Sequence, residues 1–192
     1  MNREEWLNQA SELFVKLVFS PEGYSEILYH ISTGFPSVRG TSAKSKRIGE
    51  CWSASASDDD KAHIFINPCE KDSKTVLAIV AHELVHAAVG TECGHRGEFA
   101  KLGRAINLEG KLTESHAGPV LEAAIDGIIE LIGEYPHAKL NAEKSGKKKQ
   151  TTRMLKLECY GCGYVIRTTA KWLAIGIPSC CCGEEFEEER DG

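Results

Sequence analysis

His82-Glu83-Leu84-Val85-His86 sets two imidazoles four residues apart with a carboxylate between them, the H-E-x-x-H pattern. On a helix, residues four apart lie one turn above each other on the same face, so both rings can reach one metal ion. Glu83 stands beside the pair, where it could take a proton from a water attacking a carbonyl carbon and pass it to the leaving amine. A chance pair of core histidines is the competing reading. Each titratable group on so apolar a helix would then need its own buried partner, whereas one divalent ion serves both imidazoles. A catalytic zinc takes three protein ligands and keeps an open position. His95, beyond the helix-stopping Gly90, is the expected third ligand, with Cys93, Glu92, Glu98 and Glu122 as alternatives. The shorter H-E-x-x-H-x-x-G-x-x-H spacing is absent, because position 92 is Glu. For a donor to the developing oxyanion, His116 and Arg96 are the candidates.

A second set of donors closes the chain. Cys159-Tyr160-Gly161-Cys162 and Cys180-Cys181-Cys182-Gly183 each have the form of half a zinc knuckle, with glycine where the chain turns around the metal. Four thiolates are needed and five are offered. Of eight cysteines in all, five crowd into residues 159–182, which suits zinc in a reducing compartment better than a disulfide scaffold. Two zinc ions per chain are expected, one catalytic and one structural. Cys51 and Cys69 read as buried apolar residues.

The elements that must hold these groups follow from periodicity. A helix is expected from about Arg3 to Phe19, with Trp6, Ala10, Leu13, Phe14 and Leu17 at helical spacing, ended by Pro21 and Gly23. Strand-like runs at Arg47–Ala54 and His63–Asn67, joined by Ser57-Asp58-Asp59-Asp60, read as a hairpin or neighbouring strands. Asp72-Ser73 caps a helix running to Val89, and its apolar residues cover most of the circumference, so it is expected to be buried. A third helix is expected from near His95 to Asn107 and a fourth from Pro119 to about Glu134, where Val120, Leu121, Ile125 and Ile128 supply a packing face. The fold class is α+β: a helix-dominated catalytic domain (residues 1–140) with a small hairpin or sheet, a basic linker (141–153), a small zinc-binding domain (154–188) and an acidic tail end (189–192).

Composition bounds the rest. The 192 residues are 42% hydrophobic and 27% charged, which excludes a disordered or fibrous chain. No apolar run is long enough to span a bilayer and Met1-Asn2-Arg3-Glu4-Glu5 opens no secretory signal, so a cytoplasmic, monomeric protein without a membrane partner is expected. The net charge of -5 is uneven: Lys144 to Lys171 carries eight basic residues against Glu158 alone. A local contact with nucleic acid is therefore conceivable through Lys147, Lys148 and Lys149 of the linker and Arg167, Lys171 and Trp172 beyond it, although a solvated linker accounts for the lysines equally well. The aromatics Tyr164 and Trp172 could stack on unpaired bases, or with Ile166 form the small domain's core. The acidic stretch Glu184–Asp191 is expected to fray.

His82-Glu83-x-x-His86, eight intervening residues, then His95 followed by Glu98-Phe99, with strands before and a cysteine-rich segment after, resembles the SprT-like zinc metallopeptidases, the family that includes the Spartan DNA–protein crosslink proteases. The resemblance covers most of residues 45–188. It implies a zincin-like catalytic domain, zinc held by His82, His86 and His95, and Glu83 as general base. Arg96 stands where the family usually places glycine after the third histidine. Pro178-Ser179-Cys180-Cys181-Cys182-Gly183 is similar to the family's Pro-x-Cys-Pro-Cys-Gly ending with Cys181 at the proline, which implies a zinc ribbon held by Cys159, Cys162, Cys180 and Cys182 and leaves Cys181 spare. The resemblance thus implies an endopeptidase acting on protein substrates, including proteins bound to nucleic acid. Two rivals stand beside it: a non-catalytic DNA- or transcription-associated zinc protein, and an interaction protein working through the basic linker alone.

Overall fold

Residues 1–42, 46–144 and 154–188 are described by the computed structural model, and they form two compact units, 1–145 and 146–192. The fold is mixed α+β. Among the described residues no helix is long and apolar enough to cross a membrane.

The first unit is built around α2 (Ser73–Val89). Asp72 caps it by accepting from the Thr75 N–H at 2.8 Å, and Gly90 ends it with φ of 86°. Val76, Leu77, Val80, Leu84 and Val85 are fully buried, so the helix is enclosed on most sides. One side is covered by a three-stranded sheet of β1 (Tyr29–Thr33), β2 (Gly49–Trp52) and β3 (Ala62–Ile66) in the order β1-β3-β2. β3 runs parallel to β1 and antiparallel to β2. Ala62, Ile64 and Ile66 alternate into the core while His63 and Phe65 occupy the opposite face.

Helix α1 (Arg3–Phe14) opens with a capping box, Asn2 and Glu5 each accepting the other's N–H. Its continuation, Val15–Phe19, winds as a π-helix. That wider turn brings Phe19 into the core and leaves Leu17 50% exposed, against its expected place on the packing face. Helix α3 (Gly97–Ala105) starts two residues later than expected, so His95 belongs to the preceding turn. Short strands β4 (Leu108–Glu109) and β5 (His116–Ala117) pair before α4 (Pro119–Ile132). Leu121, Ile125 and Ile128 of α4 are buried, whereas Val120, expected in the core, is 73% exposed because it stands one position off that stripe. Trp6 ties α1 to the end of α4 by donating its indole N–H to the Gly133 carbonyl at 2.9 Å.

The second unit is a three-stranded antiparallel sheet, β6 (Met154–Cys159), β7 (Val165–Thr169) and β8 (Phe186–Glu188), in the order β7-β6-β8, with one helical turn, α5 (Ala170–Leu173). Its buried apolar residues are Leu157, Cys159, Cys180 and Phe186, with Ile166 and Leu173 packed against them. Tyr164 and Trp172 are 56% and 58% exposed and so are not its core. Part of the acidic stretch expected to fray is strand β8. Of the expected linker, Ala142–Lys144 forms a single 3-10 turn; Lys147, Lys148 and Lys149, like tail residues 189–192, lie outside the described residues.

Candidate metal centres

The first centre sits where α2 meets the turn before α3. His82 and His86 are one helical turn apart, and the turn 91–96 carries His95 over them, its course set by Gly94 and Gly97 at φ of 55° and 53°. The Nε2 atom of His95 lies 3.1 Å from that of His82 and 3.3 Å from that of His86. Phe99, fully buried on α3, walls the group, with ring centroids 4.3 to 5.1 Å from the three imidazoles. Burial, reinforced by the neighbouring imidazoles, pushes His82 down to about 3, and burial with His95 and Arg47 nearby takes His86 to about 4. His95 is lowered too, by burial and then by Arg47.

All three rings are therefore neutral at pH 7, each with one N–H and one lone pair. Ser115 Oγ is 2.9 Å from His82 Nδ1 and can accept its proton, which turns the Nε2 lone pair toward the other two rings. His86 Nδ1 is buried without a hydrogen-bond partner. Lone pairs crowded this closely repel unless a proton or a cation lies among them. The donor set thus fits a divalent metal.

The competing third ligands are placed otherwise. Glu92 accepts from Ser53, Glu98 faces Lys101 on the surface, Glu122 is exposed, and the Cys93 thiol points to the carbonyls of Gly90 and Gly94. His116 and Arg96 are exposed, on β5 and at the N-cap of α3.

Glu83 lies next round the helix, against β2. It is 7% exposed, and burial raises its carboxyl to about 8, with Arg47 pulling down and Glu50 pushing up to lesser extents. Gly49 makes room for it: a Cβ there would stand 2.6 Å from Glu83 Oε1 and 2.4 Å from Ile79 Cγ2. Gly49→Ala is therefore expected to cost about 1–3 kcal/mol of stability through overpacking. Denaturant unfolding reads this directly, and an unchanged midpoint would mean that β2 simply moves aside.

Arg47 is fixed by Glu50, whose carboxylate accepts from Arg47 Nη1 at 2.6 Å, from the Ser37 N–H and hydroxyl at 2.8 and 2.7 Å, and from the Trp52 indole at 3.0 Å. Burial raises Glu50, but these donors outweigh it and hold the group below its ordinary range. Arg47, Glu50, Gly49 and Ser115 were not singled out from the sequence as parts of the site. Their roles come from a strand and a loop with no fixed spacing to the H-E-x-x-H motif.

The second centre gathers Cys159, Cys162, Cys180 and Cys182, one sulfur of each lying within 4.8 Å of the others. Cys159 and Cys182 sulfurs are 3.4 Å apart, as are those of Cys162 and Cys180. Against burial, the backbone N–H groups of Cys162 and Gly161 help bring Cys159 down to about 7. Cys162 accepts from the Tyr164 N–H, yet the adjacent sulfurs push it up to about 12. One thiolate is stabilised and the next is opposed, so four are compatible only around a cation. Cys181 is exposed, 3.9 Å from Cys180 and outside the four.

No model of a known family, no curated protein and no solved structure matches this chain.

Proposed function

We propose that the chain is a zinc-dependent endopeptidase of the SprT-like type, with a zincin-like catalytic unit and a four-cysteine zinc ribbon. What carries the reading is the convergence of three Nε2 atoms with the Glu83 carboxyl on the adjoining helical position, seated against an edge strand. His82, His86 and His95 would hold the ion, and zinc supplies Lewis-acid polarisation of a carbonyl and of a water when bound. A divalent cation beside Glu83 would offset its burial and favour the carboxylate, which would then accept the water proton and return it to the leaving amine. β2 lies at the edge of the sheet and touches Glu83 through Gly49, so an extended peptide could pair along it and present a backbone carbonyl to the site. Arg47, held by Glu50, adds positive charge near Glu83, His86 and His95.

The ribbon would recruit the target. Trp172 and Tyr164 are exposed, Lys171 Nζ lies 5.0 Å from the Trp172 ring centroid, and Arg167 is exposed on β7, a set suited to base stacking and phosphate contact. Nucleic-acid-bound proteins are the substrate class this favours, in a reducing compartment where all eight cysteines stay free. The same exposed face would serve a non-catalytic zinc protein that only binds DNA.

Hydrolysis of an unfolded protein such as casein by the full chain separates the two. Activity is expected to vanish with 1,10-phenanthroline, return with Zn2+ and be lost in His95→Ala. Zinc-loaded protein that cleaves nothing, or activity indifferent to His95→Ala, would favour the binding protein.

A further inference from the structure

We propose that His30, Asp59 and His63 form a further metal site, on the sheet face opposite α2, that takes a divalent ion of the zinc class. In the parallel pairing of β1 with β3, His30 is in register with His63, and their ring centroids are 4.9 Å apart. Both stand on the face opposite the buried Ile31 and Ile64, and so away from the H-E-x-x-H helix.

The third donor comes from the β2–β3 connection. Asp60 takes a left-handed φ of 55°, and Ser57 Oγ and the Lys61 N–H donate to Asp59 Oδ1 at 2.7 and 3.3 Å. Those bonds orient the carboxylate so that Oδ2 lies 2.7 Å from His30 Nε2. Ser57 Oγ is also 3.1 Å from His63 Nε2. One donor atom from each of the three residues lies within 4.8 Å of the others.

Donors around a tetrahedral zinc stand about 3.3–3.5 Å apart, given bonds of about 2.0–2.2 Å. The closest pair here must open by less than an ångström, and the side chains of His30 and Asp59 are 49% and 45% exposed, free to adjust. Two imidazoles and one carboxylate disfavour Ca2+ and Mg2+, which prefer all-oxygen sites, and favour zinc-like ions. Asp59 and His63 also line a cavity of about 730 Å3 whose wall carries Asp58, a further negative charge beside them. The competitor already present is Lys61, its ammonium 3.7 Å from Asp59 Oδ2. A bound ion would displace it and tie the β2–β3 connection to β1.

The test uses the full chain, stripped of metal and titrated with Zn2+ alone. At micromolar free Zn2+ the His30→Ala/His63→Ala double variant is expected to hold one zinc fewer per chain than the parent. Asp59→Asn is expected to weaken that ion by more than about 10-fold. Zinc should also shift the ring resonances of both histidines. An equal zinc count in parent and double variant, or ring resonances of His30 and His63 that zinc does not move, would overturn the proposal. The comparison is a difference between chains that share the other two donor sets, so it stands or falls apart from the peptidase reading.

Discussion

Glu83→Gln is expected to lower peptide hydrolysis by about 10²–10⁴-fold, the usual contribution of a general base, while the zinc content per chain stays that of the parent. Glutamine keeps the size of the side chain in the space above Gly49 and lacks only the capacity to take a proton. The three converging nitrogens belong to other residues, so an ion held by them would have no reason to leave. His95→Ala, by contrast, should lose activity and one zinc together, and the pair of variants separates base catalysis from metal binding. A second readout comes from the metal-free protein. Burial there raises the Glu83 carboxyl from its ordinary 4.5 to about 8, so the unfolded chain releases its proton first as pH rises. Between those values the folded state binds more protons than the unfolded one, and stability falls with increasing pH. Metal-free Glu83→Gln should lack that part of the fall in urea unfolding between pH 5 and pH 8. Hydrolysis within a few-fold of the parent would remove Glu83 from the reaction, whatever the metal does.

How much of this was legible in the sequence depended on whether the signal was local. Helix α2 carries its own stop signals, Asp72 and Gly90, and an apolar run in between, and its expected bounds and observed bounds coincide. The pairing of β2 with β3 agrees with the expected hairpin or neighbouring strands, since two strand-like runs flank the short turn Ser57-Asp58-Asp59-Asp60. β1 was not, because Tyr29-His30-Ile31-Ser32-Thr33 buries Ile31 alone and its parallel partner lies some thirty residues on, beyond any local pattern. Nothing local in the sequence therefore joins His30 to His63, although the register sets them side by side. The place of His95 depended on a turn whose two left-handed glycines the sequence displays without their direction. Gly49 was invisible for a different reason: a glycine needed for the close approach of a helix side chain looks like any other until the sheet is packed. In the second unit the two cysteine-rich turns were readable, but spacing alone could not choose among Cys180, Cys181 and Cys182. Distance makes that choice: the sulfurs of Cys180 and Cys182 lie within 4.8 Å of those of Cys159 and Cys162, and Cys181 stands outside the four.

Cys162→Ser should unfold the second unit while leaving the first unit folded. Among its described residues the second unit buries Leu157, Cys159, Cys180 and Phe186, and two of these four belong to the sulfur cluster. So small a core cannot offset the entropy of ordering some 35 residues, whereas a structural zinc contributes about 10–16 kcal/mol of apparent binding energy at pH 7. Replacing one thiolate by a hydroxyl removes a soft anionic donor and should take most of that stabilisation with it. Cys162 is the informative position because its chain neighbours offer no thiol, while loss of Cys180 could be relieved by Cys181, 3.9 Å away. Hydrogen exchange on the full chain reads the outcome: amides of β6, β7 and β8 should lose protection and those of α2 and β3 should keep it. Cys181→Ser should change neither protection nor zinc content. A second unit that stays protected in Cys162→Ser, or after chelation of any metal, would mean that its sheet stands on side-chain packing and backbone hydrogen bonds, and that the four sulfurs meet without a structural ion.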